Sequence, residues 1–575
     1  MENRTQQNIQ TWLNGAYDNS DKQIIKDLQT NNPAELEDAF YRELEFGTGG
    51  LRGIMGVGTN RMNKYTVSMA TQGLCNYLCQ FVTDRRARVA IAYDSRNNSK
   101  FFADITAGVL SANNIEVFLF DDIRPTPELS FAIRHLHCDS GIVITASHNP
   151  KEYNGYKVYW NDGGQLVPPH DKNIIAETRK INSIDDVKTS RNNNLIHYIG
   201  EEVDKVYIEK LCSLSLHPEI IKKHKDMCIV YSPLHGTGRK LVPATLKAFG
   251  FENVICEPQQ YIADGNFPTV ESPNPENAEA LTLAIKLAEE KNADLVMATD
   301  PDSDRVGIAV RNKQGKFVLF NGNMTASLII NYLCQQWKNN QKLTGNEFIV
   351  KTIVTTELLK DIADKYGIVT YDVLTGFKYI AEQIRLLEGK KQFIGGGEES
   401  YGYLIGDFVR DKDAVIACSI IAEIAAWAKE QGKTLFDILI DIYLEFGLYK
   451  EQLLSLTKKG IAGNQEIAQM MQDYRNNPPK TINNKKVVLI KDYQTSISKN
   501  LITGQEEAIT LPTSNVLQFF LEDHSKITIR PSGTEPKIKF YFGVKIPLTS
   551  INNLEASTQT AEQIIDNIIK DMQLK

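Results

Sequence analysis

Ser147 stands in Thr145-Ala146-Ser147-His148-Asn149-Pro150, directly after the apolar run Ile142 to Ile144. The run reads as a buried strand, and Pro150 stops further ladder bonding. A single hydroxyl is therefore expected at the carboxyl end of a strand, where open α/β sheets bind ligands. A second turn, Asp300-Pro301-Asp302-Ser303-Asp304-Arg305, sets three carboxylates at alternate positions after the apolar Leu295-Val296-Met297-Ala298. Like charges this close cost energy unless a cation offsets them, and a few hard oxygen ligands suit Mg2+. An EF-hand loop is excluded, because its sixth position is Arg305 rather than Gly and its twelfth is Arg311 rather than Glu.

Three further stretches have the right residue types for an anion or a sugar. Gly395-Gly396-Gly397-Glu398-Glu399-Ser400-Tyr401-Gly402 offers a carboxylate, Glu398, and a hydroxyl, Ser400, after three glycines expected to bend the chain tightly. Thr375-Gly376-Phe377-Lys378 precedes it as a second wall. Arg530-Pro531-Ser532-Gly533-Thr534 combines one guanidinium, two hydroxyls and backbone amides, the makings of a phosphate cradle, with Lys537 and Lys539 nearby. Gly47 to Gly53 holds four glycines around Arg52 and reads as a loop that approaches an anion.

The reaction class follows from what Ser147 lacks. Thr145-Ala146-Ser147-His148-Asn149 has no Gly-x-Ser-x-Gly elbow. Neighbours along a strand point to opposite faces, so His148 is not expected to act as base for Ser147. Phosphoryl transfer instead needs positioning, a metal and cationic donors. Asp300, Asp302, Asp304, Arg52, Arg305 and Lys412 supply these.

The elements that position these groups form a pattern that recurs three times. An apolar strand, helix, second strand, more helix and a third strand end in a loaded turn. The strands are expected at 88–93, 115–120 and 141–145, then at 227–231, 251–256 and 293–299, then at 347–354, 367–373 and 392–394. Such alternation implies parallel or mixed sheets covered by helices, with Ser147, Asp300 and Glu398 at equivalent positions. Residues 1–46 read as helices, while 181–200 and 473–484 read as polar connectors. Strands at 527–530 and 537–542 and a helix at 556–572 complete a compact last unit.

At 575 residues the chain has room for three to five domains at roughly 100–200 residues each. Its net charge of −7 argues against a nucleic-acid binder. Residues 1–9 are polar and carry no signal-peptide apolar region, and the apolar run 414–428 is too short to span a bilayer, so it reads as a core helix. The eight cysteines show no zinc spacing; Cys75 and Cys79, one helical turn apart, read as packing. A reduced, cytoplasmic protein is expected.

Taken together and in this order, the Ser147, Asp300, Glu398 and Arg530 motifs resemble the α-D-phosphohexomutase superfamily, in particular phosphoglucomutases of the longer phosphoglucomutase-2/phosphopentomutase type. The likeness spans residues 40 to 575. It implies an α/β fold of three similar mixed-sheet domains plus a smaller C-terminal α+β domain around a central cleft. The expected units are 1–205 with the phosphoserine loop, 206–322 with the metal loop, 323–470 with the sugar loop and 485–575 with the phosphate loop. It also implies that Ser147 is phosphorylated in the resting enzyme and that Mg2+ is held by that group with Asp300, Asp302 and Asp304. Arg305 would contact substrate beside the metal, Thr375, Gly376, Glu398 and Ser400 would hold the sugar, and Arg530, Ser532, Gly533 and Thr534 the distal phosphate. Arg52 and His148 belong with the substrate ligands. Lys157 and Lys412 match lysines with acid–base or substrate roles, and which is the base stays open.

The implied activity is interconversion of glucose 1-phosphate and glucose 6-phosphate through a bisphosphorylated sugar, with glucose 1,6-bisphosphate as priming activator. A phosphopentomutase, a phosphomannomutase, a bisphosphate synthase or an inactive sugar-phosphate-binding regulator are the alternatives. The expected partner is a small sugar phosphate, with no nucleic acid or membrane, for a monomer or homodimer.

Overall fold

The computed structural model describes residues 2–44, 50–458, 460–532 and 537–574. Helices Glu2–Asn14, Asn19–Asn31 and Pro33–Phe40 open the chain. They gather around Trp12, Ile25 and Phe40, all buried, and pack on Tyr65.

The first sheet contains β1 (Gly50–Ile54), β2 (Arg88–Tyr93), β3 (Glu116–Phe120), β4 (Ser140–Ile144), β5 (Tyr153–Trp160) and β6 (Ile196–Ile199), in the order β1-β5-β4-β2-β3-β6. The second contains β7 (Ile229–Ser232), β8 (Val254–Cys256), β9 (Leu295–Thr299), β10 (Val306–Arg311) and β11 (Phe317–Phe320), in the order β11-β10-β9-β7-β8. The third contains β12 (Glu347–Thr352), β13 (Val369–Val373), β14 (Gln392–Glu398) and β15 (Gly402–Ile405), in the order β13-β12-β14-β15. One arrangement underlies all three. The second and third strands run parallel to the first, and a fourth strand returns antiparallel to the third. The repeat read from the sequence is thus a repeat of topology. Each loaded turn connects a third strand to its antiparallel fourth, and the fourth strand is the element the sequence pattern did not reveal.

Three expectations change. Gly50 to Gly53 lie in β1, paired antiparallel with β5, so Arg52 projects from a strand opposite Gly155 rather than from a loop; Gly47 to Gly49 lie outside the described residues. The connector 181–200 includes β6, which pairs parallel with β3. The second connector begins inside a helix, Gly460–Asn476, and includes the short strand β17 (Thr481–Ile482).

The last sheet is antiparallel and runs β16 (Leu448–Thr457), β23 (Lys537–Ile546), β22 (Lys526–Pro531), β21 (Leu517–Leu521), β18 (Lys485–Asp492), β19 (Ile497–Asn500), β20 (Glu506–Ala508), with β17 beside β18. Helix Leu554–Asp571 covers it through Ala561, Ile565, Ile568 and Ile569. β16 falls within the range expected for the third unit, 323–470, yet pairs along its whole length with β23. Lys526, nearly inaccessible, bonds Glu357, and Gln518 donates to the Ile353 carbonyl at 2.8 Å, which fastens this sheet to the third.

Helix Ala414–Glu430 is the apolar run read as a core helix. It is buried almost throughout and joins the largest core, which takes in Phe120, Leu246, Met297 and Leu333 from three units. Asp413 caps it, accepting from the Val415 and Ile416 amides at 2.9 and 3.0 Å, so the helix start fixes the adjacent Lys412. Among the described residues no helix is long and apolar enough to cross a membrane.

Candidate active site

The serine and aspartate turns meet directly. Ser147 Oγ donates to Asp300 Oδ2 at 2.6 Å, and both residues are buried. The backbone of Ser147 has φ +52°, and the two sister turns each hold a residue of the same kind, Ser303 at +54° and Tyr401 at +66°. Left-handed non-glycine residues cost about 1–3 kcal/mol each and persist where surrounding contacts impose them. The left-handed turn also overturns the geometry expected of His148, which was to point away from Ser147. Strand alternation does not run through such a turn, and His148 Nδ1 lies 3.1 Å from Ser147 Oγ. Burial, then Arg305 and Arg52, depress His148 to about 2, so its ring is neutral at ordinary pH.

Asp300, Asp302 and Asp304 offer carboxylate oxygens that all lie within 4.8 Å of one another. Two of these oxygens, Oδ1 of Asp302 and Oδ1 of Asp304, are buried without a hydrogen-bond partner. Burial, then Asp302 and Asp304, push the Asp300 carboxyl well above its usual range. Three carboxylates buried this close together fit a hard cation that offsets their charge. Cations from other units already lean on it. Lys157, on β5, reaches Asp302 Oδ2 at 2.8 Å and Asp304 at 3.8 Å, and Lys412 reaches Asp304 Oδ2 at 3.0 Å. Asp302 is held below its usual range against the opposing effect of burial, chiefly by Lys157.

Lys412 also pairs with Asp411 at 3.1 Å and lies over the Phe377 ring at 5.2 Å. It passes tightly over Gly402, where a β-carbon would meet its Cδ at 2.0 Å. Arg305 turns to Glu276 at 2.6 Å.

Glu398 ends β14 and is nearly inaccessible. Its Oε1 accepts from the Gly376 amide at 3.0 Å, which joins the two stretches expected to hold the sugar. Burial raises its carboxyl to about 7, with Lys412 opposing and Glu399 adding. The three glycines before it belong to the strand rather than to a turn. A β-carbon at Gly396 would meet the Val350 carbonyl at 2.2 Å, so close strand packing is what requires glycine there. Thr375 Oγ is buried without a hydrogen-bond partner beside them, and Ser400 is half-buried in the turn.

Arg530 sits on β22 opposite Lys539, and the Ser532 amide donates to the Lys537 carbonyl at 2.7 Å. The charge of Arg530 reaches Tyr379 of the third unit, and that of Lys539 reaches Glu399 and Glu276. Gly533 and Thr534 lie outside the described residues. Arg52 is exposed to solvent, yet lies in the field of Asp302, Arg305 and Asp304.

Several supporting residues gave no sequence signal. Thr126 donates its amide to the Asp302 carbonyl at 2.9 Å and its hydroxyl to Asp302 Oδ2 at 3.1 Å. Asp411 accepts from Tyr159 at 2.6 Å. Glu276 orients Arg305, and Arg96 supports the serine turn. Only Arg96, just past the end of a first strand in Asp94-Ser95-Arg96, stood where a search of strand ends finds it.

A buried serine against a carboxylate triad, with two lysines and a buried glutamate converging from three sister sheets, defines a phosphoryl-transfer site. Residues 43–185, 205–315 and 321–446 match, in turn, the alpha/beta/alpha domains I, II and III of the phosphoglucomutase/phosphomannomutase family. A phosphoglucomutase of Staphylococcus haemolyticus is 38% identical over 539 residues, covering 93% of this chain and 95% of that protein. One from Staphylococcus aureus is 39% identical over 540 residues with the same coverage. The parafusin phosphoglucomutase of Paramecium shares the fold, with a TM-score of 0.68 at 18% identity over 93% of this chain and 95% of that one. So does a putative phosphomannomutase of Thermus thermophilus, with a TM-score of 0.65 at 20% identity over 91% and 99%. The chain belongs to the phosphoglucomutase/phosphomannomutase family, and it is an isomerase that works by phosphoryl transfer.

Proposed function

We propose that this enzyme interconverts glucose 1-phosphate and glucose 6-phosphate, with Ser147 as the phosphoryl carrier. The 2.6 Å contact of Ser147 Oγ with the buried aspartate cluster carries the reading, because a hydroxyl against three carboxylates that could hold a cation suits a phosphoryl carrier. In the first transfer the phosphorus–Oγ bond of phospho-Ser147 breaks as a bond forms from phosphorus to the free hydroxyl at one end of the hexose phosphate. The hydroxyl proton passes to Lys157 or Lys412, whichever has given up its own proton and stands as the neutral amine. The bisphosphate turns over in the cleft, and its other phosphoryl group returns to Ser147. Glucose 1,6-bisphosphate primes the unmodified serine in the same way.

Mg2+ held by Asp300, Asp302, Asp304 and the phosphorylated Ser147 would offset charge on the phosphoryl oxygens. Glu398, Ser400, Thr375 and Gly376 hold the sugar, and Arg305, His148 and Arg52 line the approach to the serine. Arg530 and Ser532, with Gly533 and Thr534, take the distal phosphate, so that one cradle serves either end of the sugar. The units 1–205, 206–322, 323–470 and 485–575 each bring one of these groups. The enzyme acts in the cytoplasm on a soluble substrate.

Ser147→Ala tests the assignment. It should abolish turnover of glucose 1-phosphate and remove the added phosphate mass, while the protein stays folded. Robust turnover in this variant would sink the reading. A parallel coupled assay on glucose 1-phosphate, mannose 1-phosphate and ribose 1-phosphate ranks the sugars, and a preference for mannose or ribose would correct the substrate but keep the chemistry.

A further inference from the structure

The serine turn has an internal support that the transfer chemistry does not itself require. Arg96 follows β2, and its side chain is inaccessible to solvent. Its Nη1 donates to the carbonyls of Pro150 at 2.9 Å and Tyr153 at 3.1 Å, and its Nη2 donates to those of Ser147 and Asn149. One guanidinium therefore gathers four backbone carbonyls of a single turn. Its Nε lies 3.3 Å from Asp94 Oδ2, and Asp94 is held in turn by Ser99 at 2.6 Å. The four carbonyls need a planar fork with four N–H groups at fixed angles, which arginine has and lysine does not.

The open face of that guanidinium is covered by another unit. Phe267 of the second unit lies with its ring centroid 5.0 Å from the Arg96 carbon and is itself buried. It belongs to a strap, 261–276, that crosses to the first unit. Asn97 bonds Asn266 at 3.0 Å, Ser272 donates to the His148 carbonyl at 2.9 Å, and a β-carbon at Gly265 would meet the Asn97 amide at 2.3 Å. The strap is pinned on its own side by His235, which bonds the Ile262 carbonyl and the Thr269 hydroxyl at 2.8 Å each. Its last residue, Glu276, holds Arg305 of the aspartate turn.

We propose that Arg96 is a positioning residue for phosphoryl transfer, and that Phe267 clamps it, so that the serine turn keeps its register with the aspartate turn. Arg96 imposes the left-handed backbone at Ser147 by binding the carbonyl of Ser147 itself and three carbonyls that follow it. The strap delivers the clamp from the unit that carries the metal ligands, so the two turns are aligned through the main chain as well as through the Ser147–Asp300 contact. The inference rests on the phosphoserine reading above.

The test compares wild type, Arg96→Lys and Phe267→Leu in steady-state assays on glucose 1-phosphate, with intact mass to follow the phosphorylated serine after loading with glucose 1,6-bisphosphate. Misplacing a reacting group by an ångström costs on the order of 100-fold. Arg96→Lys should therefore lose about 100-fold in kcat with KM changed less than about threefold, and added guanidinium should fail to restore it while the lysine fills the site. Arg96→Ala should regain part of its rate with added guanidinium. Phe267→Leu keeps the apolar core and should lose about tenfold in kcat. Loss of kcat with a folded protein of unchanged unfolding temperature supports positioning. A kcat within twofold of wild type in both Arg96→Lys and Phe267→Leu overturns it, as does a loss that tracks melting in Phe267→Leu. A wild-type chain with no activity on any sugar phosphate and no phosphate on Ser147 overturns the phosphoserine reading, and this inference with it.

Discussion

The serine turn and the aspartate turn occupy the same place in two copies of one sheet, each between a third strand and its antiparallel fourth. They are held differently. The serine turn is braced chiefly from inside its own unit, by Arg96 on four carbonyls and by Thr145 Oγ on the Ser147 amide at 2.8 Å, with Ser272 of the second unit on the His148 carbonyl at 2.9 Å. The aspartate turn has bonds of its own unit, from the Thr237 amide to the Pro301 carbonyl at 2.8 Å and from the Asp304 and Arg305 amides to Asp300 Oδ1 at 3.1 and 3.0 Å, and it is braced from two other units besides. The Asp302 carbonyl accepts from Thr126 of the first unit at 2.9 Å, and the Ser303 carbonyl from Ala414 of the third at 3.2 Å. The Val306 amide just beyond it donates to the Tyr401 carbonyl of the third unit at 3.1 Å. Its charges are met from outside as well, by Lys157 and Lys412. The difference teaches that a buried anionic cluster is affordable here only as a meeting point. Three carboxylates in one turn would repel one another in an isolated unit, and the neighbouring units supply the donors that make the turn tolerable.

The comparison breaks most severely at Asp302, which pairs with a lysine of the first unit, accepts from Thr126 and keeps one oxygen unpartnered. Asp302→Asn should lower kcat/KM for glucose 1-phosphate roughly 1,000-fold, since metal charge stabilisation is worth several kcal/mol. It should also abolish the rise in unfolding temperature that Mg2+ gives wild type by binding the folded state. Calorimetric titration with Mg2+ checks the cause. Wild-type metal affinity in the variant would show that this carboxylate is not a ligand.

A smaller effect separates the third turn from the second. Its carboxylate, Glu398, meets a charge from another turn, Lys412, and an amide from its own sheet, Gly376, and burial still raises it to about 7. The group is neutral below that pH and ionised above it. A carboxylate accepts two sugar hydroxyls more strongly than a carboxylic acid does. The KM for glucose 1-phosphate should therefore fall as pH rises through about 7. Glu398→Gln should flatten that step and raise KM about tenfold at pH 8, the worth of one charge-assisted bond. An unchanged pH profile in Glu398→Gln would assign the step to another group, the substrate phosphate among them.

What the sequence displayed was whatever is contiguous. The Ser147, Asp300 and Glu398 turns are short runs after apolar strands, and the threefold pattern of strands was readable for the same reason. The fourth strands were not. In Tyr153–Trp160 and Gly402–Ile405 polar, aromatic and glycine residues are buried together, and no alternation marks which face is inside. The direction of His148 was misjudged because strand geometry was carried one residue too far, into a left-handed turn. Thr126, Asp411 and Glu276 look ordinary because their partners lie far along the chain; 176 positions separate Thr126 from Asp302, and 252 separate Tyr159 from Asp411. Convergence of this kind is a property of packing, and periodicity within one segment does not encode it.

The mildest test keeps every functional group and moves one of them. Lys412 crosses Gly402, the first residue of the third unit's fourth strand, and a methyl group there would lie 2.0 Å from its Cδ and 2.7 Å from its Cγ. Both atoms are mid-chain, so the whole side chain must shift, and its bond to Asp304 at 3.0 Å is the contact most exposed to that shift. The backbone at Gly402 is not left-handed, so Gly402→Ala acts through this collision and not through strain at the residue itself. A displacement of a few tenths of an ångström, well short of a full misplacement, should reduce kcat about three- to tenfold with KM little changed. Lys412→Ala combined with Gly402→Ala separates the causes. If the lysine's displacement is the whole effect, the alanine at 402 adds nothing once Lys412 is gone, and a double-mutant cycle reads this as a large coupling. Additive losses would mean that the glycine serves the strand pairing of β14 with β15 instead, and that Lys412 is free to find Asp304 by another path.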